Sequence, residues 1–188
     1  MKNFKKLFGT LAVLLAGTGV ANAAPVTASM NLHGTIISDT CTFSFPTTAP
    51  ALTVDAAAYS GAEVGGTIVD GVELGHITAL GCNTKTVTLK AQSDGQIAGN
   101  AERGKFTYTN KPADAKDPLA FTIDYGAVGG ATVGNLKLDN TSPVSFNANA
   151  ASFDIPLNLK VLKQEAVTNI GAYAGDFTAT VTYTADFS

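Results

Sequence analysis

The last fourteen residues, Gly175 to Ser188, constrain the fold of this chain more than any other stretch. From Phe177 onward every second residue is apolar: Phe177, Ala179, Val181, Tyr183, Ala185 and Phe187. The positions between them are Thr178, Thr180, Thr182, Thr184 and Asp186. A period of two with one apolar face specifies a half-buried β-strand. Such a strand needs a partner along each edge, supplied by an earlier segment or by another chain, because an open edge of that length invites strand addition.

The opposite end has the layout of a secretory leader. Lys2, Lys5 and Lys6 precede a largely apolar stretch from Leu7 to Val20, and Ala21-Asn22-Ala23 offers the small-x-small cleavage pattern. Cleavage after Ala23 is expected. A membrane anchor is the alternative, but spanning takes about 20 apolar residues and this stretch is shorter and rich in Gly, Ala and Thr. Taking 23 residues from 188 leaves 165, enough for one domain, and taking three lysines from a net charge of −3 leaves −6. No basic patch remains to attract nucleic acid or an anionic membrane.

The remainder has no Trp, few charges, much Thr, Ala, Gly and Val, and hardly any helical periodicity, so the expected class is all-β. Its two cysteines, Cys41 and Cys82, are expected to form one structural disulfide in an exported protein. A redox or metal pair is the rival, disfavoured by the absence of C-x-x-C spacing and by a supply of only two histidines, His33 and His76. Neither histidine has the surroundings that acid–base catalysis requires, and Asp114, Asp117, Asp124 and Asp139 read as solvated loop or outer-face groups. Gly126 to Asn135 is glycine-rich but lacks the following Lys-Ser/Thr and the helix of a phosphate loop, and is expected to be a hairpin connection. No catalysis and no cofactor are expected.

A second alternating segment follows the leader: Val26, Ala28, Met30 and Leu32, ahead of Gly34 and Cys41. It reads either as an ordinary first strand or as a detachable one. Between the ends, Ala51–Asp55 reads as a weak strand, and Thr67–Asp70 and Val72–Leu80 as two strand segments of unresolved register. Thr86–Gln92, Lys105–Tyr108 and Leu119–Tyr125 read as further strands, with Ser93–Gly104 as a surface loop. Phe153, Ile155, Leu157, Leu159 and Val161 form another interior row, with Pro156 on its opposite face, tolerable only at an edge or a bulge. About seven strands at this spacing fit an immunoglobulin-like β-sandwich. Uneven strands, the absence of Trp and a distant cysteine pair argue against an outer-membrane barrel.

Taken together, the leader, the alternating extension before Gly34 and Cys41, the partner Cys82, and a terminal strand that opens with Gly175 and carries Phe187 in the penultimate place resemble the pilin subunits of chaperone-usher fimbriae, in the group of type 1 major shaft subunits. The resemblance runs over the whole chain. It implies a signal peptide at residues 1–23, a donor-strand extension at 24–33 and a pilin domain at 34–188. The implied fold is an incomplete immunoglobulin-like β-sandwich completed by donor-strand exchange. Val26, Ala28, Met30 and Leu32 would then be the donor row, and Gly175, Phe177, Ala179, Val181, Tyr183, Ala185 and Phe187 the acceptor groove and chaperone-binding strand. In the family a glycine commonly stands at the position matched by Ala28, and this departure bears on the rate of exchange rather than on the ability to polymerise. The implied partners are a periplasmic pilus chaperone, an outer-membrane usher and neighbouring copies of itself or related pilins, with export through the periplasm to a surface fimbrium. The alternatives are a minor, adaptor or adhesive subunit and a self-complete exported sandwich.

Overall fold

A computed structural model of the chain describes residues 28–35, 41–47, 50–112 and 115–188. The expected leader at 1–23, Val26 of the expected donor row, and Asp114 lie outside the described residues. In chain order the elements are β1 (Ala28–Thr35), β2 (Thr42–Ser44), α1 (Ala56–Gly61), β3 (Thr67–Leu80), β4 (Thr86–Ser93), β5 (Gln96–Ile97), β6 (Asn100–Lys105), β7 (Thr107–Tyr108), β8 (Leu119–Tyr125), β9 (Gly134–Asn135), β10 (Val144–Asn147), β11 (Ser152–Lys163), a 3-10 turn at Ile170–Tyr173, and β12 (Phe177–Phe187). The expected all-β sandwich is what the chain forms.

One sheet runs β1-β12-β4-β10, with β7 also on β12; the other runs β2-β3-β11-β8-β6-β5, with β9 on β8. Their inner faces share one core. The five apolar residues of the β11 row, Phe153 to Val161, are all buried, and they face Val87 and Leu89 of β4, Phe146 of β10 and Val181 and Tyr183 of β12 within the same cluster. Period-two alternation thus selects the inward face of each strand, and burial of that face supplies the main stabilisation.

Cys41 and Cys82 form the expected disulfide, with Cα atoms 4.8 Å apart and both residues fully buried. The bridge fastens the chain after β1 to the turn between β3 and β4.

Several expectations change. The expected weak strand at Ala51–Asp55 joins no ladder among the described residues, and Asp55 instead caps α1, its carboxylate accepting from the Ala57 amide at 2.9 Å. An Asp ahead of three alanines is a helix start, a local signal stronger than the two apolar residues before it. Thr67–Asp70 and Val72–Leu80 are one strand, β3, whose register against β11 shifts at Leu157/Asn158, beside Gly75. Ser93–Gly104 holds a hairpin, β5 and β6, rather than a loop alone. Gly104 pairs with Phe121, and a Cβ there would lie 2.2 Å from the Phe121 ring, so this glycine serves packing as well as turning. The connection at Gly126 to Asn135 is the expected turn, closed by a bridge between Val128 and Ala131.

Pro156 lies on β11, a strand paired on both sides, but beside the register shift at Leu157/Asn158, in keeping with the expected edge or bulge. The ladder with β8 starts only at Leu157, opposite Tyr125. Pro156 therefore faces the end of β8, where its carbonyl accepts from the Gly126 amide at 3.0 Å and no ladder donor is missed. A Cβ on Gly126 would come within 2.5 Å of the Pro156 ring, so the two residues fit only as a pair.

Asp124 is a further correction. It is buried on β8, not a solvated outer-face group, and its Oδ2 accepts from Lys160 Nζ at 2.8 Å. That hydrogen bond raises the Lys160 ammonium pKa above its ordinary value. Asp117 is half-covered between Lys111 and Lys105. Asp139 folds its own turn, accepting from the amides of Thr141 and Ser142, and the Thr141 bond chiefly holds its carboxyl below the usual range.

Candidate assembly groove

The alternation of β12 becomes a burial pattern: Phe177, Ala179, Val181, Tyr183 and Ala185 are buried, and the threonines between them are exposed or half-exposed. Phe187 is partly buried, its ring centroid 6.4 Å from that of Phe43. The strand begins where it does because Gly175 breaks it. Gly175 has φ +141°, a region that L side chains rarely adopt, and a Cβ there would lie 2.6 Å from Asn110 Nδ2. The same Asn110 amide donates to the Ala174 carbonyl at 2.6 Å, closing the turn that launches the strand.

On one edge, β12 pairs antiparallel with β7 at Phe177 and Thr178 and with β4 from Val181 to Phe187. On the other edge lies β1, and it runs parallel to β12 from Ala28 opposite Phe177 to Thr35 opposite Thr184. Three of the four expected donor residues are therefore placed by register against the buried row: Ala28 with Phe177, Met30 with Ala179, and Leu32 with Val181. Gly34 falls opposite Tyr183, the largest fully buried side chain. Within the single chain, the edge of β12 is thus covered by the chain's own N-terminal segment. Among the described strands β1 pairs with β12 alone.

The direction of β1 has a physical cause. Only residues 36–40 separate Thr35 from Cys41, so the link reaches about 20 Å at most. Cys41 lies toward the C-terminal end of β12, as the Phe43 and Phe187 rings attest. Reversing β1 over the same stretch would carry Thr35 from Thr184 to Phe177, roughly 23 Å further from that end at 3.3 Å per residue. The link is too short. A strand from another molecule carries no such tether.

The floor of the groove is aromatic, and several of its members carried no role in the sequence reading. Phe45 stacks on Tyr183 with centroids 6.4 Å apart, and Phe106 meets Phe177 edge-on at 4.7 Å. The run Thr42-Phe-Ser-Phe45 after Cys41 does alternate, and that was the available signal. Burial pushes the Tyr183 phenol pKa above its ordinary value, and its hydroxyl has no hydrogen-bond partner among the described residues. Tyr108, also buried, is raised for the same reason, but its hydroxyl both accepts from the Leu119 amide at 3.1 Å and reaches the Leu119 carbonyl at 3.4 Å.

The described residues offer no group of three or more His, Cys, Asp and Glu side chains that could hold a metal ion. His76 is exposed on β3, its Nε2 3.5 Å from Glu73 Oε1. His33 is in β1, opposite Thr182. No helix among the described residues is long and apolar enough to cross a membrane.

The two-sheet architecture, with β12 paired on its outer edge by β1, is that of an all-β sandwich. Among solved structures the chain is similar to the crystal structure of the P pilus rod subunit PapA, with a TM-score of 0.52 at 16% sequence identity, over 80% of this chain and 100% of that one. At that identity the likeness is one of fold. No protein-family model matches the chain, and no curated protein does.

Proposed function

We propose that this chain is a structural subunit of a surface fimbrium. In this proposal residues 1–23 direct export, and residues 24–33 leave their own molecule to complete the groove beside β12 of the next. One observation carries the proposal: the strand covering β12 runs parallel to it and is joined to Cys41 by a link of only five residues, 36–40. Parallel ladders are slightly less stable per residue than antiparallel ones. A donor from a second copy is free to pair antiparallel, so an exchange between copies has a driving force that the closed monomer lacks. Full burial of Val26, Met30 and Leu32 in that groove would contribute roughly 5 to 9 kcal/mol before ordering costs. Each copy then gives one surface and receives on another, a heterologous contact that propagates as a filament.

An uncovered eleven-residue edge is an aggregation hazard. This supports a requirement for a strand-lending periplasmic chaperone before assembly, and for an outer-membrane usher at the site of assembly. The likeness to a rod subunit supports neighbouring copies as partners and a structural rather than a catalytic role. The test is electrophoresis of the exported protein without heating. The expected result is a ladder of detergent-resistant oligomers that collapses on boiling and is lost when residues 24–33 are deleted. A chain that stays monomeric at every concentration would defeat the proposal in favour of a self-complete exported sandwich, in which β1 keeps its intramolecular place.

A further inference from the structure

Two of the three buried polar or charged residues among those described, Thr122 and Asp124, are two positions apart on β8 and so share its outward face. Each is less than a tenth exposed. They are covered because the neighbouring strands rise around them: Lys160 of β11 stands opposite Thr122, and Asn135 of β9 opposite Asp124. The ladder of β6 with β8 holds only Gly104 and Lys105, so β6 continues toward Asn100 without pairing there. A hollow of about 250 Å³ remains between the strands, lined by Asn100, Glu102, Arg103, Thr122, Asn135 and Lys160. Leu162 and Gly65 are its apolar members.

Most of these side chains hold one another. Asn135 Nδ2 donates to Glu102 Oε2 at 2.9 Å, Asn100 Oδ1 accepts from the Glu102 amide at 3.2 Å, and Arg103 donates to Gln164 Oε1 at 3.2 Å. Lys160 Nζ lies 2.8 Å from Asp124 Oδ2 and 3.7 Å from Asp70 Oδ1. The two cations are thus matched by carboxylates, which repel an anion and leave no surplus of positive charge to hold one. What the hollow offers in surplus is neutral hydrogen bonding. The amides of Asn100 and Asn135 and the hydroxyl of Thr122 each donate and accept. Asp124 Oδ1 is a buried acceptor with no donor among the described residues. Such a group is costly to leave unpaired, and it marks a place where a donor is missing. A ligand that donates and accepts at several closely spaced points, with C–H groups between them, is a sugar ring. The volume lies below the range of drug-sized pockets and suits one ring rather than a chain.

We propose that this hollow, on the outer face of the sheet that holds β11 and β8, binds a single neutral pyranose ring. Thr122 and Asn135 bond its hydroxyls, Leu162 meets its C–H groups, and Asp124 Oδ1 accepts from a further hydroxyl as the partly exposed Lys160 side chain turns aside. The hollow shares no residue with β1 or β12, so the proposal is independent of strand exchange.

The experiment titrates the exported full chain, kept dilute and monomeric, with the methyl α-glycosides of glucose, mannose, galactose and N-acetylglucosamine, each to about 0.1 M, while amide resonances are followed by NMR. At least one glycoside is expected to shift the amides of Asn100 to Arg103, Thr122 to Asp124 and Asn135 saturably, with a Kd of about 1 to 10 mM, as suits a ligand of so few atoms. Thr122→Val keeps the shape of the side chain and removes its hydroxyl, and is expected to weaken that binding roughly tenfold. Asn135→Ala, at an exposed position that the fold does not need, is expected to weaken it about threefold or more. Absence of saturable shifts at these amides with all the glycosides overturns the proposal, as does wild-type affinity in either variant. Saturation of the same amides by sodium sulfate instead of a glycoside overturns it too, by making the hollow an anion site.

Discussion

β11 and β12 are alike in sequence and differ in their neighbours. Both are long strands with a buried row at every second residue, and both line the same core. β11 is flanked by β3 and β8, antiparallel on each side. β12 has antiparallel partners on one edge only, and on the other a parallel strand reached through a short link. Similar patterning thus yields one strand with antiparallel neighbours on both edges and one whose outer neighbour runs parallel to it. The difference lies in how the neighbour is reached along the chain, not in the apolar row it covers.

The largest expected effect tests the anchor shared by both regions. Cys41→Ser with Cys82→Ser opens a bridge of sequence separation 41, and the chain-entropy relation gives a loss of about 4 kcal/mol. Denaturant titration should show it as a lower midpoint than that of the oxidised wild type. An unchanged midpoint would mean that the bridge does not hold the end of the link that sets the direction of β1.

Next in size is Leu159→Ala, at the centre of β11. It should cost about 2 to 5 kcal/mol of global stability, because the site is fully enclosed between paired strands. Hydrogen exchange sharpens the contrast: amides of β11 should exchange only through global unfolding, and those of β12 facing β1 through a smaller opening. Equal protection on the two strands would erase the distinction between them.

A smaller effect, about 1 to 3 kcal/mol, is expected for Gly126→Ala, whose added carbon collides with the Pro156 ring. Pro156→Ala should restore most of it in a double-mutant cycle read by thermal unfolding. If the two losses simply add, the proline does not fit into β11 by the space that Gly126 leaves.

The smallest contrast concerns two buried tyrosines. Tyr108→Phe should cost about 1 kcal/mol by breaking its bonds to Leu119, whereas Tyr183→Phe should be nearly neutral or slightly stabilising, since it removes a hydroxyl with no partner among the described residues. Burial raises both phenols above the ordinary value near 10. Below pH 10 both the folded and unfolded chains hold these protons and stability is unaffected. Above it the unfolded chain ionises first, so stability should fall as pH climbs, and each Phe variant should flatten that slope. A slope unchanged in both variants would place the alkaline sensitivity elsewhere, with Lys160 beside Asp124 as the next group to replace.

What the sequence determined by itself was local. A period of two in Phe177 to Phe187, in Phe153 to Val161 and in Leu119 to Ile123 identified strands and their inward faces, because successive side chains of an extended chain must point to opposite sides. Gly175 could be singled out from sequence, although its φ of +141° and the proximity of Asn110 are what require it. Who pairs with whom was decided only in three dimensions. Asp124 looked like an outward residue by parity and proved buried under Lys160, the polar side of a strand in the middle of a sheet. Ala51–Asp55 had strand composition but joins no ladder among the described residues. The parallel placement of β1 followed from the five residues between Thr35 and Cys41 together with the position of the disulfide, a constraint that joins residues far apart in the chain. Alternation names the face of a strand; only the folded chain, through tether length and neighbouring edges, decides which strand lies beside it and in which direction.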